Sequence, residues 1–181
     1  MMVRRPPPFA PSRVPKHRSS GFTLVEVAVS AIVVSVMMVA ALRAVSASRT
    51  AHAGAERRAT ARLLADDLMG QIGRVAYTEP GATTLILGPE VGELLAGKAA
   101  FDDIDDFNGW TESPPTDVAG ASLSRFTNWS RTVTVAWVGL ASPSVSSVTE
   151  TGAKRITVIV KYGTAEYARC VAMKSNAPAA K

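Results

Sequence analysis

At 181 residues the chain is long enough for one modest domain plus an anchor. It carries 20 Lys and Arg against 15 Asp and Glu, with a formal net charge of +5, a pI near 9.7 and one cysteine. A lone Cys170 excludes an intramolecular disulfide. Five of the 20 bases fall in the first 21 residues, which hold no acid, so 15 bases face 15 acids beyond them and the charge argument for nucleic-acid binding lapses.

Those five bases are Arg4, Arg5, Arg13, Lys16 and Arg18, with His17 able to join them. Interspersed are Pro6, Pro7, Pro8, Pro11 and Pro15, a composition that predicts a disordered basic leader. Leu24 to Leu42 then runs without Lys or Arg, and Glu26, Ser30 and Ser35 are its polar interruptions. A bilayer-crossing helix needs about 20 apolar residues at ~1.5 Å each, so this segment predicts a single span. The basic flank holds the N-terminus on the cytoplasmic side. Glu26 is the anomaly, because an acid inside such a run calls for a partner.

Gly21-Phe22-Thr23-Leu24-Val25-Glu26, behind a basic leader and ahead of an apolar helix, resembles the processing site of type IV pilins and pseudopilins. The resemblance implies cleavage by prepilin peptidase after Gly21 and N-methylation of Phe22. It also implies that Glu26 meets the new amine of Phe22 on a neighbouring subunit. An amine and a carboxylate attract strongly in low dielectric, and either is costly to bury alone. The partners implied are prepilin peptidase, other pilin or pseudopilin subunits, an inner-membrane assembly platform and the lipid bilayer, with no nucleic acid. The localisation implied is the inner membrane, single-pass with the C-terminal domain periplasmic, and then the pilus or pseudopilus.

Two other readings share parts of this pattern. A secretory signal peptide would be cut after Val45-Ser46-Ala47 and release a soluble protein beginning at Ser48. The apolar run exceeds the ~7–15 residues of such a signal, and Glu26 would go unexplained. A plain signal-anchor would leave a membrane-tethered periplasmic binding module that does not polymerise. It accounts for the length but not for Gly21 or Glu26.

The helix is expected to continue past the membrane to about Val75, because the stretch is dense in Ala, Arg and Glu. Ala61, Leu64, Leu68, Ile72 and Val75 form a stripe for a globular domain, while Arg62, Asp66, Asp67 and Gln71 fall off it. Many major pilins loosen the membrane half with proline or glycine. Ser35 and Arg43 stand at those places here, a departure that points towards a minor or pseudopilin role. Arg57, Arg58 and Arg62 read as a solvated helix face, with Glu56, Asp66 and Asp67 as partners.

Glu79-Pro80-Gly81 is expected to end the helix, and Thr83–Leu87 to form a short strand. Asp102, Asp103, Asp105, Asp106 and Asn108 follow, a set of oxygens suited to calcium, which collects six to eight from a flexible loop. Calcium sites also occur in the globular domains of some pseudopilins. The spacing does not match an EF-hand, and a solvated acidic turn pinned by Phe101, Phe107 and Trp110 explains the same residues without metal.

The C-terminal third alternates as strands do. Arg131–Val138, Arg155–Tyr162 and Glu166–Met173 are expected strands, the last two joined as a hairpin at Gly163-Thr164. Gly139–Ala153 reads as an exposed, mobile connection. Trp129 and Trp137 are expected at a sheet–helix interface, and Cys170 as a small buried residue of its strand.

The expected fold is α+β: a long N-terminal helix on a small antiparallel sheet, as in pilins. The organisation is a leader over 1–21, a membrane or filament-core helix over 22–45 and its amphipathic continuation over 46–76. A β-rich domain follows over 77–174, with a flexible tail over 175–181. The acidic loop with its Trp, Asp67-Leu68 and the Gly152–Val160 strand are also similar to minor pilins of the MSHA type and to minor pseudopilins. No catalytic set is visible, and His52 has no Cys or His at metal spacing.

Overall fold

The computed structural model describes residues 21–79, 81 and 86–176. The leader and most of the tail lie outside these residues, as does most of the strand expected over Thr83–Leu87. Ile86 and Leu87 themselves are not in a strand. The chain divides into two compact units, one ending at Ser48 and one running from Arg49 to Lys181.

Helix α1 covers Leu24–Ile72. Up to Ser48 every described side chain is exposed, including Phe22, Leu24, Val25, Val27 and Val29. Among the described residues this is the one helix long and apolar enough to cross a membrane, with a mean hydropathy of 2.4 in its apolar window.

In the second unit α1 buries Ala61, Leu64, Ala65, Leu68 and Ile72, the expected stripe with Ala65 added. Each fully buried Leu or Ile stabilises the fold by roughly 1.5–3 kcal/mol. Val75 packs half-buried against the same core but is no longer helical. The helix stops at Ile72, well before Pro80, because the backbone finds other partners. Gly73 N–H closes on the Met69 carbonyl, and Ala76 then bonds the acidic loop through Ala76 N to Asp102 O at 2.9 Å and Ile104 N to Ala76 O at 3.1 Å.

Five antiparallel strands follow: β1 (Thr111–Glu112), β2 (Trp129–Gly139), β3 (Ser142–Ser146), β4 (Ala153–Tyr162) and β5 (Ala165–Ser175). Their order is β1-β2-β4-β5, with β3 pairing the end of β2. The connection expected to be mobile over 139–153 therefore contains an exposed strand that turns back on Val138 and Gly139. A six-residue helix, α2 (Val91–Ala96), precedes the acidic loop.

The β2–β4 register sets Val133 opposite Val158 and Val135 opposite Ile156, so their buried side chains share the face that packs on α1. Val160 and Trp129 extend that face. Alternation on β2 breaks near its end, where Val138 rather than Trp137 is buried. Trp129 thus joins the core, whereas Trp137 is half-buried and outside it. The β4–β5 turn is the expected one at Gly163-Thr164, with Gly163 at φ +59°, a conformation open to glycine. Ser175 still pairs with Ala153 and Asn176 N–H donates to Gly152 O, so order extends to residue 176. A long helix on an antiparallel sheet is the α+β, pilin-like arrangement.

Candidate functional site

Gly21, Phe22 and Thr23 precede α1 and are exposed. Thr23 caps the helix: its Oγ1 accepts from Glu26 N–H at 3.2 Å and its carbonyl from Val27 N–H at 3.2 Å. The bond between Gly21 and Phe22 is therefore free of helical hydrogen bonding. Among the described residues a Cβ at Gly21 meets nothing within 4 Å, so they impose no demand for glycine there. Glu26 stands in the first helical turn, where a carboxylate suits the dipole. No Lys or Arg among the described residues pairs with it. Ser35 Oγ, further along, donates to the Ala31 carbonyl at 2.7 Å and so satisfies itself within the helix.

The acidic loop is folded rather than solvated. Phe101 packs edge-on to Phe107 and Trp110, with ring centroids 5.0 and 5.1 Å away. This pinning holds Asp103, Asp105 and Asp106 out of solvent. Asp103 Oδ1 accepts from Asp105 N and Asp106 N, and Asp106 Oδ2 accepts from Asp102 N and Asp103 N, both at 3.0 Å. Asp105 Oδ2 pairs with Lys154 Nζ at 2.7 Å. Asn108 Oδ1 accepts from Val135 N–H at 3.0 Å, fastening the loop to β2.

Of the five residues suited to calcium in the sequence, Asp102 and Asp106 gather with Glu93 of α2, Asp103 bonds amides of its own loop, Asp105 pairs with Lys154 and Asn108 bonds β2. Glu79 and Glu90 form a second group around the same Glu93. Burial, then neighbouring carboxylates close enough to share a proton, push Glu93 up to about 8 and Glu79 up to about 7. Burial and the charges of Asp106 and Asp105 raise Asp103 to about 6. Glu79, Glu90 and Glu93 lie 9 to 27 residues before Asp102 and Asp106, and no local spacing could have announced the cluster.

A second buried network joins α1 to the sheet. Arg131 of β2 is wholly buried and donates to Leu64 O at 3.1 Å, Asp67 Oδ2 at 3.0 Å and Thr116 O at 2.6 Å, and it pairs with Glu112. Lys98 reaches the same Glu112 at 3.3 Å. Asp67 thus serves the sheet instead of the helical arginines. Arg62 does pair with Asp66 at 3.4 Å, but Arg57 stacks 4.7 Å over the Tyr162 ring and donates to Tyr167 Oη. The readable sign was Arg131 itself, in phase with inward-facing Val133 and Val135. Cys170 is half-buried on β5, with Sγ 3.8 Å from Asp66 Oδ1.

Residues 16–42 match a known family, described as the prokaryotic N-terminal methylation motif. The chain carries the signature of type IV pilins and pseudopilins. No curated protein and no solved structure matches the chain.

The match spans the end of the leader, the Gly21–Glu26 segment and the apolar part of α1. This signature marks a pilin-like precursor processed by prepilin peptidase, and with the apolar helix it fits a membrane-anchored pilin. It belongs to structural subunits rather than to an enzyme family.

Proposed function

We propose that this chain is a structural, minor subunit of a type IV pilus or a type II secretion pseudopilus. The precursor sits once across the inner membrane, with its leader cytoplasmic and its sheet domain periplasmic. Prepilin peptidase cuts between Gly21 and Phe22, Phe22 is N-methylated, and the assembly platform moves the helix from lipid into a filament core. Both surroundings are apolar, so the transfer changes burial little, and close packing with the Phe22 amine–Glu26 pair selects register. Residues 22–45 supply the core helix, 46–72 its continuation and the residues beyond it the presented domain.

The observation that carries this reading is the position of Glu26. It is a carboxylate in an exposed apolar helix, one turn from the Gly21–Phe22 bond and without a countercharge among the described residues of its own chain. Mass spectrometry of the native mature chain tests it. A start at N-methyl-Phe22 is expected. An uncut chain would mean a tethered binding module, and a start at Ser48 a secreted protein.

A further inference from the structure

We propose that Glu93, Asp102 and Asp106, with Glu79 and Glu90 beside them, bind one hard divalent cation, calcium by size. The proposal stands on carboxylate geometry and is independent of the pilus reading.

The oxygens of Glu93, Asp102 and Asp106 lie within 4.8 Å of one another, and so do those of Glu79, Glu90 and Glu93. Around calcium, with bonds of about 2.3–2.6 Å, opposite ligands stand roughly 4.6–5.2 Å apart and adjacent ones nearer 3.4 Å. Magnesium, at about 2.0–2.1 Å, demands tighter octahedral closure and prefers to keep its waters. An all-carboxylate set drawn from three separate segments suits the larger, more tolerant ion.

The orphaned oxygens point independently to a ligand. Asp106 is 1% exposed, and its Oδ1 has no hydrogen-bond partner although Oδ2 accepts two N–H groups. Glu79 Oε2 is equally shielded and unpartnered. A buried carboxylate oxygen left without a donor is costly, and a cation satisfies several at once.

Protein cations do not fill this role. Among the described residues, Lys and Arg pair with Asp66, Asp67, Asp105, Glu112 and Glu166, and with none of these five carboxylates. Lys98 and Lys154, the buried lysines of this unit, are already held by Glu112 and Asp105. Glu90 and Asp102 are exposed and open a path from solvent.

The test is calcium titration of the full-length chain in detergent micelles at neutral pH, by calorimetry and thermal unfolding. Saturable uptake of about one ion per chain is expected, with Tm rising on the order of 5 °C at a hundredfold excess over Kd. Glu93→Gln should abolish both responses while keeping the wild-type near-UV circular dichroism in chelator. Asp102→Asn, at an exposed position, should weaken binding at least about tenfold. Glu166→Gln, in the separate Arg169 pair, should bind as wild type. No heat and no Tm shift at about 5 mM calcium overturns the proposal, as does an undiminished response in Glu93→Gln and Asp102→Asn, or an equal response to magnesium.

Discussion

Lys154 Nζ donates to Asp105 Oδ2 at 2.7 Å, with the lysine side chain wholly out of solvent. The same ammonium bonds the Tyr77 carbonyl and lies 4.2 Å from the centre of the Tyr77 ring. One side chain from β4 thereby fixes both the segment leaving α1 and the acidic turn. The three groups share no neighbourhood in the chain, so the contact exists only once the domain has closed.

Removing one partner should cost more than removing both. Lys154→Met strands a buried carboxylate, and Asp105→Asn strands a buried ammonium, each costing about 3–5 kcal/mol. The double variant loses attraction and desolvation together and should recover much of that loss. Urea unfolding of the full chain in detergent, followed by tryptophan fluorescence, measures the cycle. Additive single losses would mean that the pair is not coupled.

Glu112 carries the second prediction. It is the carboxylate that buried Lys98 and Arg131 share, whereas Asp67 supports Arg131 from a half-exposed position. Glu112→Gln should cost about 3 kcal/mol, by the same logic of uncompensated buried charge. Glu166→Gln breaks an exposed pair with Arg169 and should cost under about 1 kcal/mol. Unfolding free energies for the two variants decide the matter.

Lys98 supplies a pH signature. Burial lowers its pKa below the ordinary 10.5, partly opposed by Glu112. A base whose folded pKa is depressed binds fewer protons when folded than when unfolded. Between the lowered value and 10.5 the unfolded state takes up the extra proton, so this group makes stability rise with pH in that window. Lys98→Met should flatten the alkaline slope relative to wild type. Unfolding midpoints across that window would show it, and parallel slopes would refute it.

The periodic parts of the fold were legible. Ala61, Leu64, Leu68 and Ile72 repeat at helical spacing, and Ile156, Val158 and Val160 at strand spacing, and each set is buried as its period requires. Both signals are local. What escaped depended on distant pairing: Asp67 with Arg131, Lys154 with Asp105, and Glu93 with Asp102 and Asp106. The acidic loop looked solvated because four carboxylates in five residues normally are, yet their own backbone amides and Lys154 satisfy many of their oxygens. The early end of α1 was hidden for the same reason, since Ala76 exchanges a helical bond for one to Asp102. The Gly21–Glu26 segment was legible because it is read in order along the chain rather than across it.

Two substitutions separate processing from assembly. In Gly21→Arg the Cβ meets nothing within 4 Å among the described residues, so a block in maturation would point to the peptidase's own requirement at that position. The expected product is a full-length precursor retaining residues 1–21. Glu26→Ala leaves the Gly21–Phe22 bond and the Thr23 cap in place and should be cleaved as wild type. In the filament it would leave the Phe22 amine of the neighbouring subunit buried and unpaired, a penalty of about 3–5 kcal/mol where the pair is fully desolvated. At about 1.4 kcal/mol per factor of ten, incorporation should fall at least about tenfold. Quantitative blotting of sheared filaments against membrane pools measures that ratio. Normal incorporation of the Glu26 variant would remove the amine–carboxylate pair from the assembly mechanism, even with cleavage after Gly21 intact.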